Sequence, residues 1–147
     1  MIRDELQVVL NDVEAVVTEA AEGHARLAEE LRARDHPRAA DLEALAGRRR
    51  RVSETLGERL RALGDRPREG DPEYQSVLEM LARLRASFAE NDVETLLEER
   101  AEAEARIVEA VDAALDQDAL PDDLAAMLTE LKDDARRAAG DFGASGI

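Results

Sequence analysis

Apolar residues recur at helical spacing through most of the chain, which predicts a set of long amphipathic α-helices. The first stripe advances in alternating steps of four and three residues from Leu6 to Leu31, a spacing that puts its members on one face of a helix. This stripe predicts a helix over about residues 2–34. Comparable stripes predict further helices over about 37–63, 73–90, 93–115 and 121–139.

Turn-forming residues lie where these stripes break. Pro37 and Pro121 suit the first positions of helices, and Asp92 suits an N-cap. Gly64 and Gly140 follow the last apolar position of their stripes, where glycine commonly ends a helix.

The order of these elements predicts a single all-α domain over residues 1–140, followed by a loose tail over 141–147. Short links make successive helices antiparallel, whereas the long connection after Gly64 can return the chain along the bundle. One such crossover is the topology of a ferritin-like four-helix bundle. We therefore predict that fold, with the shorter helix over 73–90 as an addition within the crossover between helices two and three.

The amino-acid composition argues against several classes of function and indicates few. The net charge of −15 argues against binding to nucleic acid or to an anionic membrane. The absence of cysteine excludes thiol chemistry and disulfides. No apolar run is long enough to span a bilayer and no secretion signal opens the chain, so we expect a cytoplasmic protein. Its acidity is also typical of proteins adapted to salt.

Several short motifs, taken in order, resemble a family of uncharacterised bacterial ferritin-like proteins, a four-helix-bundle domain of unknown function. The resemblance covers most of residues 9–138. Its matching features are Leu10-Asn11-Asp12, Gly23, the segment from Leu56 to Gly64, Gly70, Glu104, Ala114-Leu115 and Leu120-Pro121.

The chain also departs from that family at positions that bear on metal binding. The family often has a His-Arg pair followed by Trp in the middle helix, where this chain has Leu78, Glu79 and Leu81. A late histidine of the last helix is replaced near Ala139. Of the positions that resemble metal ligands, Glu104 is the one retained.

Glu104 lies on the apolar stripe of the helix over 93–115, where a carboxylate is costly unless a cation or a metal compensates its charge. Arg49 lies on the stripe of the second helix, and Arg100 comes one turn before Glu104. We therefore predict that Glu104, Arg49 and Arg100 form a core ion-pair network in place of a metal centre.

A ferritin-like di-iron site needs Glu-x-x-His motifs, and this chain contains none. Of its two histidines, His24 falls on the first stripe and is predicted to be a core residue with one hydrogen-bond partner. The alternative is a divalent-metal site, possibly for iron, built from carboxylates alone. Its candidate ligands are Glu19, Glu43, Glu104 and Glu130. Oxygen-only sites suit Mg, Ca or Mn better than a redox iron pair.

Charge is unevenly distributed along the chain. Arg48, Arg50 and Arg51 open an arginine-rich stretch, whereas residues 69–118 are strongly acidic. Both regions suit solvated helix faces, and both also suit an interface between subunits. We predict no catalytic residues and no cofactor, and interpret the chain as a non-catalytic binding or assembly module. It would form a homo-oligomer, with a dimer favoured, or bind another protein. The alternative function is a metal-binding protein of the iron-storage or oxidase type.

Overall fold

The computed structural model describes residues 5–64 and 92–143, and in these ranges the chain forms four α-helices and no strands. They are α1 (Glu5–Ala33), α2 (Ala39–Ala62), α3 (Val93–Leu115) and α4 (Asp122–Gly143). The all-α prediction is confirmed, and so are the four long helices to within a few residues. The additional helix predicted over 73–90 and the residues after Gly143 lie outside the described ranges.

Ion pairs between helices give their directions. Arg38 pairs with Asp141 and Arg59 pairs with Asp123, so α2 and α4 are antiparallel. α1 is also antiparallel to α2 and to α3, and α3 is antiparallel to α4. In each of these pairs, later residues of one helix contact earlier residues of the other. The helices therefore follow one another around the bundle in the order α2, α1, α3, α4. The end of α2 and the start of α3 lie at opposite ends of the bundle.

Local sequence explains the helix ends. Asp35 adopts a left-handed conformation with φ 53°, which Asp tolerates better than most residues. The Asp35 and His36 amides then donate to carbonyls of the last turn of α1, at 3.0 and 2.9 Å, in a Schellman arrangement. Gly64, with φ 92°, follows α2 as predicted. Asp92 caps α3 by accepting from the Thr95 amide at 2.8 Å.

The prediction that Gly140 ends the last helix is wrong, because α4 continues to Gly143. The helix is extended by Phe142, which is buried in the core. The Arg38 guanidinium lies over its ring, with Cζ 4.3 Å from the ring centroid. Burying an aromatic ring contributes far more than a mid-helix glycine costs. Residues 141–143 therefore belong to the bundle rather than to a loose tail.

The apolar interior is divided into two clusters. One cluster includes Leu10 and Val17 of α1 with Ile107 and Leu128, and the other includes Leu27 and Phe142. Most of the apolar positions predicted from the stripes are buried; Leu63, at the end of α2, is exposed. In each helix, the chain passes from one cluster to the other near a charged or polar side chain.

Candidate functional site

A layer of polar side chains lies between the two apolar clusters, and each helix contributes one residue to its centre. These residues are His24 from α1, Arg49 from α2, Glu104 from α3 and Asp134 from α4. His24 and Glu104 are fully buried, and Arg49 is 1% exposed. The layer is therefore part of the core, and its charges compensate each other within the protein.

Glu104 is the central acceptor of this layer. Arg49 Nε lies 3.0 Å from Oε1 and 3.1 Å from Oε2, and Arg49 Nη2 also donates to Oε1. His24 Nε2 lies 2.9 Å from Oε2, and it is the donor because an ionised carboxylate only accepts. Each oxygen of Glu104 thus accepts two hydrogen bonds, which uses the roughly four acceptor positions of a carboxylate.

Asp134 connects this buried layer to the surface. Arg49 Nη1 donates to Asp134 Oδ2 at 2.9 Å, and Arg48 Nε donates to the same oxygen at 2.9 Å. Asp134 and both arginines line a groove of about 550 Å³ between α2 and α4. The positive charges of Arg48 and Arg49 balance the negative charges of Glu104 and Asp134. A continuous chain of hydrogen bonds runs from His24 to this groove.

The electrostatics of the layer favour one set of protonation states. Burial alone would raise the pKa of Glu104, but hydrogen bonds from His24 and Arg49 outweigh it and lower that pKa. Burial lowers the pKa of His24 more strongly than its hydrogen bond to Glu104 raises it. Burial would lower the pKa of Arg49, yet Glu104 and Asp134 raise it. The folded protein therefore holds a neutral His24 beside an ionised Glu104 and a charged Arg49.

The structure brings Glu104 and Arg49 together, but Arg100 is not part of the same network. Arg100 is 4% exposed and turns towards α1, where its guanidinium lies against Gly23. It makes no hydrogen bond to Glu104. The prediction that Arg100 joins the pair is therefore wrong in this respect, because Arg49 and His24 already occupy the acceptor positions of Glu104.

The four glutamates considered as metal ligands do not converge on one point. Glu104 is engaged in the polar layer, Glu43 pairs with Arg32 and Glu19 lies 3.8 Å from Arg106. Glu130 is exposed at the rim of the groove. Across residues 5–64 and 92–143, no three His, Asp or Glu side chains are grouped so as to hold a metal ion. The alternative of an all-carboxylate site is thus not assembled by these residues.

The arginines singled out as an interaction patch fall into two kinds. Arg48 pairs with Asp134 of the same chain, whereas Arg50 and Arg51 are exposed on α2. Arg50 and Arg51 are therefore the fully exposed members of this patch, while Arg48 is paired and only partly exposed.

Sequence reasoning missed a second polar cluster between α1 and α2. Thr18 Oγ1 lies 2.7 Å from Ser53 Oγ and donates to Glu14 Oε1 at 3.1 Å. Glu14 is 7% exposed. Glu14 directly follows Val13, which lies on the predicted stripe, and Thr18 comes one turn after Glu14. These positions are the signal in the sequence for this cluster. The role of Asp134 was missed for a similar reason, since it flanks rather than occupies the stripe of α4.

The lowered pKa of His24 gives a testable pH dependence of stability. An unfolded histidine, with a pKa near 6.5, binds a proton as the pH falls through that value, while the buried His24 resists protonation. The free energy of unfolding should then be highest above pH 7.5. Below pH 6.5 it should decrease by up to about 1.4 kcal/mol per pH unit from this residue. Glu104 and Asp134, whose pKa values are also lowered, add a further loss as the pH falls below 4.5.

Urea unfolding of wild type and His24→Asn between pH 8 and pH 5 measures this effect. We expect a smaller decrease between pH 7 and 5 in the variant. His36→Asn is the matched control, because its side-chain oxygen can replace His36 Nδ1 in accepting from the Arg38 amide, 3.1 Å away. An unchanged decrease in His24→Asn would show that another group titrates in this range.

No helix in the described ranges is both long and apolar enough to cross a membrane. Comparison with known proteins adds no assignment: no family model, curated protein or solved structure matches this chain.

Proposed function

We propose that this protein is a ferritin-like helical bundle that serves as a non-catalytic binding or assembly module, with an ion-pair layer where such bundles hold metal. The helix directions support the ferritin-like topology. Because α2 and α3 run the same way, their connection joins opposite ends of the bundle, and a single long crossover of this kind is the ferritin-like arrangement.

The observation that carries the proposal is the Arg49 guanidinium on Glu104. Di-iron bundles direct carboxylates and histidines from their helices at a metal pair in the core. Here Glu104 and His24 are directed inward in the same way, but a buried positive charge from Arg49 compensates the carboxylate. A metal ion at this point would have to displace three hydrogen bonds, donated by two N–H groups of Arg49, and would be repelled by the charge of Arg49.

Exposed charges support the assembly part of the proposal. Arg50 and Arg51 are exposed on α2, while α3 carries a row of exposed acids. These acids are Glu94, Glu98, Glu99, Glu102 and Glu109. Since α2 and α3 lie at opposite corners of the bundle, the two faces complement each other between molecules rather than within one. A homo-oligomer, with a dimer as its simplest form, or an acidic protein partner would use the arginine face.

Iron loading tests the non-catalytic part. Fe(II) is added anaerobically to the purified protein, excess metal is removed by desalting, and iron per chain and oxygen consumption are measured. We expect far less than one iron per chain and no oxygen consumption above that of buffer. About two irons per chain in wild type, lost in Glu104→Gln, would overturn the proposal and favour the alternative of a metal-binding, oxidase-like protein.

Sedimentation analysis tests the assembly part. We expect wild type to have a mass above the monomer, and the double variant Arg50→Gln/Arg51→Gln to shift towards the monomer. Arg136→Gln is the control, because Arg136 is also an exposed arginine but lies on α4. Adding salt should have the same effect as the double variant, since exposed ion pairs are screened. Equal masses for all three proteins would exclude this face as the subunit contact.

A further inference from the structure

The side of the bundle between α2 and α4 is more open than its other sides. The backbones of α2 and α4 lie further apart than those of the other neighbouring helices, and long side chains bridge the gap. The groove lined by Arg48 and Asp134 continues towards the end of α4, where it has a further volume of about 350 Å³ beside Asp41 and Phe142. The groove therefore follows the two helices along much of their length.

This groove has an apolar floor and a charged rim along each helix, a combination that is typical of protein interfaces. Val52 and Met127 belong to the floor, and both are only partly buried against the core. Methionine is flexible enough to fill irregular gaps against another surface. The rims carry exposed charges of both signs, which are Arg51, Glu130, Asp133 and Arg137. The groove thus offers both apolar and charged contacts to a partner.

The charges on the two rims are opposite where the rims face each other. The ion pairs between the antiparallel α2 and α4 set the levels of the two helices, and they place Arg51 opposite Glu130. Further along the groove, the rim of α2 carries Asp41 and the rim of α4 carries Arg137. Each rim therefore changes sign along its length, and the facing rim changes with it.

This pattern makes the groove complementary to itself. A second copy related to the first by a two-fold axis along the groove would have its α2 over the first copy's α4, at the same level. Arg51 of each copy would then meet Glu130 of the other, and Asp41 would meet Arg137. Every neighbouring pair among these four helices would be antiparallel, as in a regular four-helix bundle, with the two apolar floors inside.

A dimer of this kind is closed, unlike contact of the arginine face with the acids of α3. Because α2 and α3 lie at opposite corners of the bundle, two molecules cannot make that contact in both directions at once, and it would extend into chains or rings. Two copies that each carry a net charge of −15 also repel each other. Cations and acids are nearly balanced along the groove, so this face reduces that repulsion.

The size of the face suits a specific dimer. From the Arg38–Asp141 pair to the Arg59–Asp123 pair, α2 extends over about 30 Å, and two helices side by side are about 20 Å wide. Two such faces would bury on the order of 1,200 Å² together, which is the lower end of the range for stable, specific interfaces.

We propose that two copies of this chain dimerise through their α2–α4 grooves, with α2 of each copy over α4 of the other. The inference rests on the assembly part of the proposed function and names the surface that a closed dimer uses. The apolar floors supply the centre of the interface, and the contacts of Arg51 with Glu130 fix the relative position of the two copies.

A mixture of two charge-reversal variants tests this proposal. Arg51→Glu brings two acids together at each of its rim contacts, and Glu130→Arg brings two arginines together. Each variant alone should therefore dimerise about 30-fold more weakly than wild type. An equimolar mixture should recover the affinity of wild type, because both contacts in a mixed dimer again join opposite charges.

Sedimentation equilibrium over a series of protein concentrations measures the dissociation constant of each dimer. Arg136→Glu is the matched control, because it changes the net charge by the same amount as Arg51→Glu at an exposed position of α4 that does not line the groove. We expect Arg136→Glu to dimerise as wild type does. Circular dichroism shows whether each variant is folded.

Weaker association of Arg51→Glu without recovery in the mixture would overturn the proposal and leave contact with the α3 acids as the basis of assembly. Equal dissociation constants for all of these proteins would exclude the groove as the interface. A monomeric wild type would overturn the proposal together with the homo-oligomer of the proposed function, whose acidic protein partner would then remain.

Discussion

Glu104→Gln should destabilise the protein by about 3–5 kcal/mol, a large part of the stability of a typical domain. The substitution keeps the volume of the side chain and removes its charge. Arg49 would then retain Asp134 as its one carboxylate partner, and one of its donors would face a neutral amide. Removing one partner of a buried ion pair costs more stability than replacing both partners with apolar residues, because the remaining charge stays in the core.

Urea unfolding at pH 7.5 measures this loss, which should lower the midpoint by about 2 M. Glu102→Gln is the matched control, since Glu102 lies on the same helix but is exposed; its free energy of unfolding should stay within about 0.5 kcal/mol of that of wild type. Circular dichroism at low temperature shows whether Glu104→Gln is folded before urea is added. A loss below about 1 kcal/mol would mean that the polar layer contributes little to stability.

The helices could be predicted from the sequence because their stripes are long and regular. The stripe of α1 alternates steps of four and three residues through Leu10, Val13 and Val17, and all three are buried. Asp92 and Gly64 act at helix ends through chemistry that depends only on neighbouring residues. By contrast, the end of α4 depends on Phe142 meeting residues distant in sequence, and local reasoning about Gly140 could not show this.

The candidate site was predictable in part, for a related reason. A charged residue on an apolar stripe must be compensated, so Glu104 and Arg49 could be identified as partners from one sequence. Which of Arg49, Arg100 and His24 contact Glu104 depends on how the helices are rotated about their axes. The periodicity of the apolar positions does not give that rotation. His24 was placed correctly in the core, but its partner became evident only when α1 was seen next to α3.

The most informative prediction concerns replacement of the whole buried layer. A buried ion pair is costly to desolvate, and well-packed apolar residues of similar volume often match or exceed its stability. His24, Arg49 and Glu104 lie between two apolar clusters that they keep apart. Replacing all three with leucine, methionine and leucine would join those clusters into one continuous core.

We therefore expect the triple variant His24→Leu/Arg49→Met/Glu104→Leu to be at least as stable as wild type, with a gain of up to about 4 kcal/mol. Asp134 would lose Arg49 but keep Arg48, and it is partly exposed, so little charge would be left uncompensated. Urea unfolding of the triple variant beside Glu104→Gln makes the comparison, and the decrease in stability between pH 7 and pH 5 should also become smaller. A triple variant no more stable than Glu104→Gln would show that the layer holds the helices in register through its hydrogen bonds and not only through balanced charge.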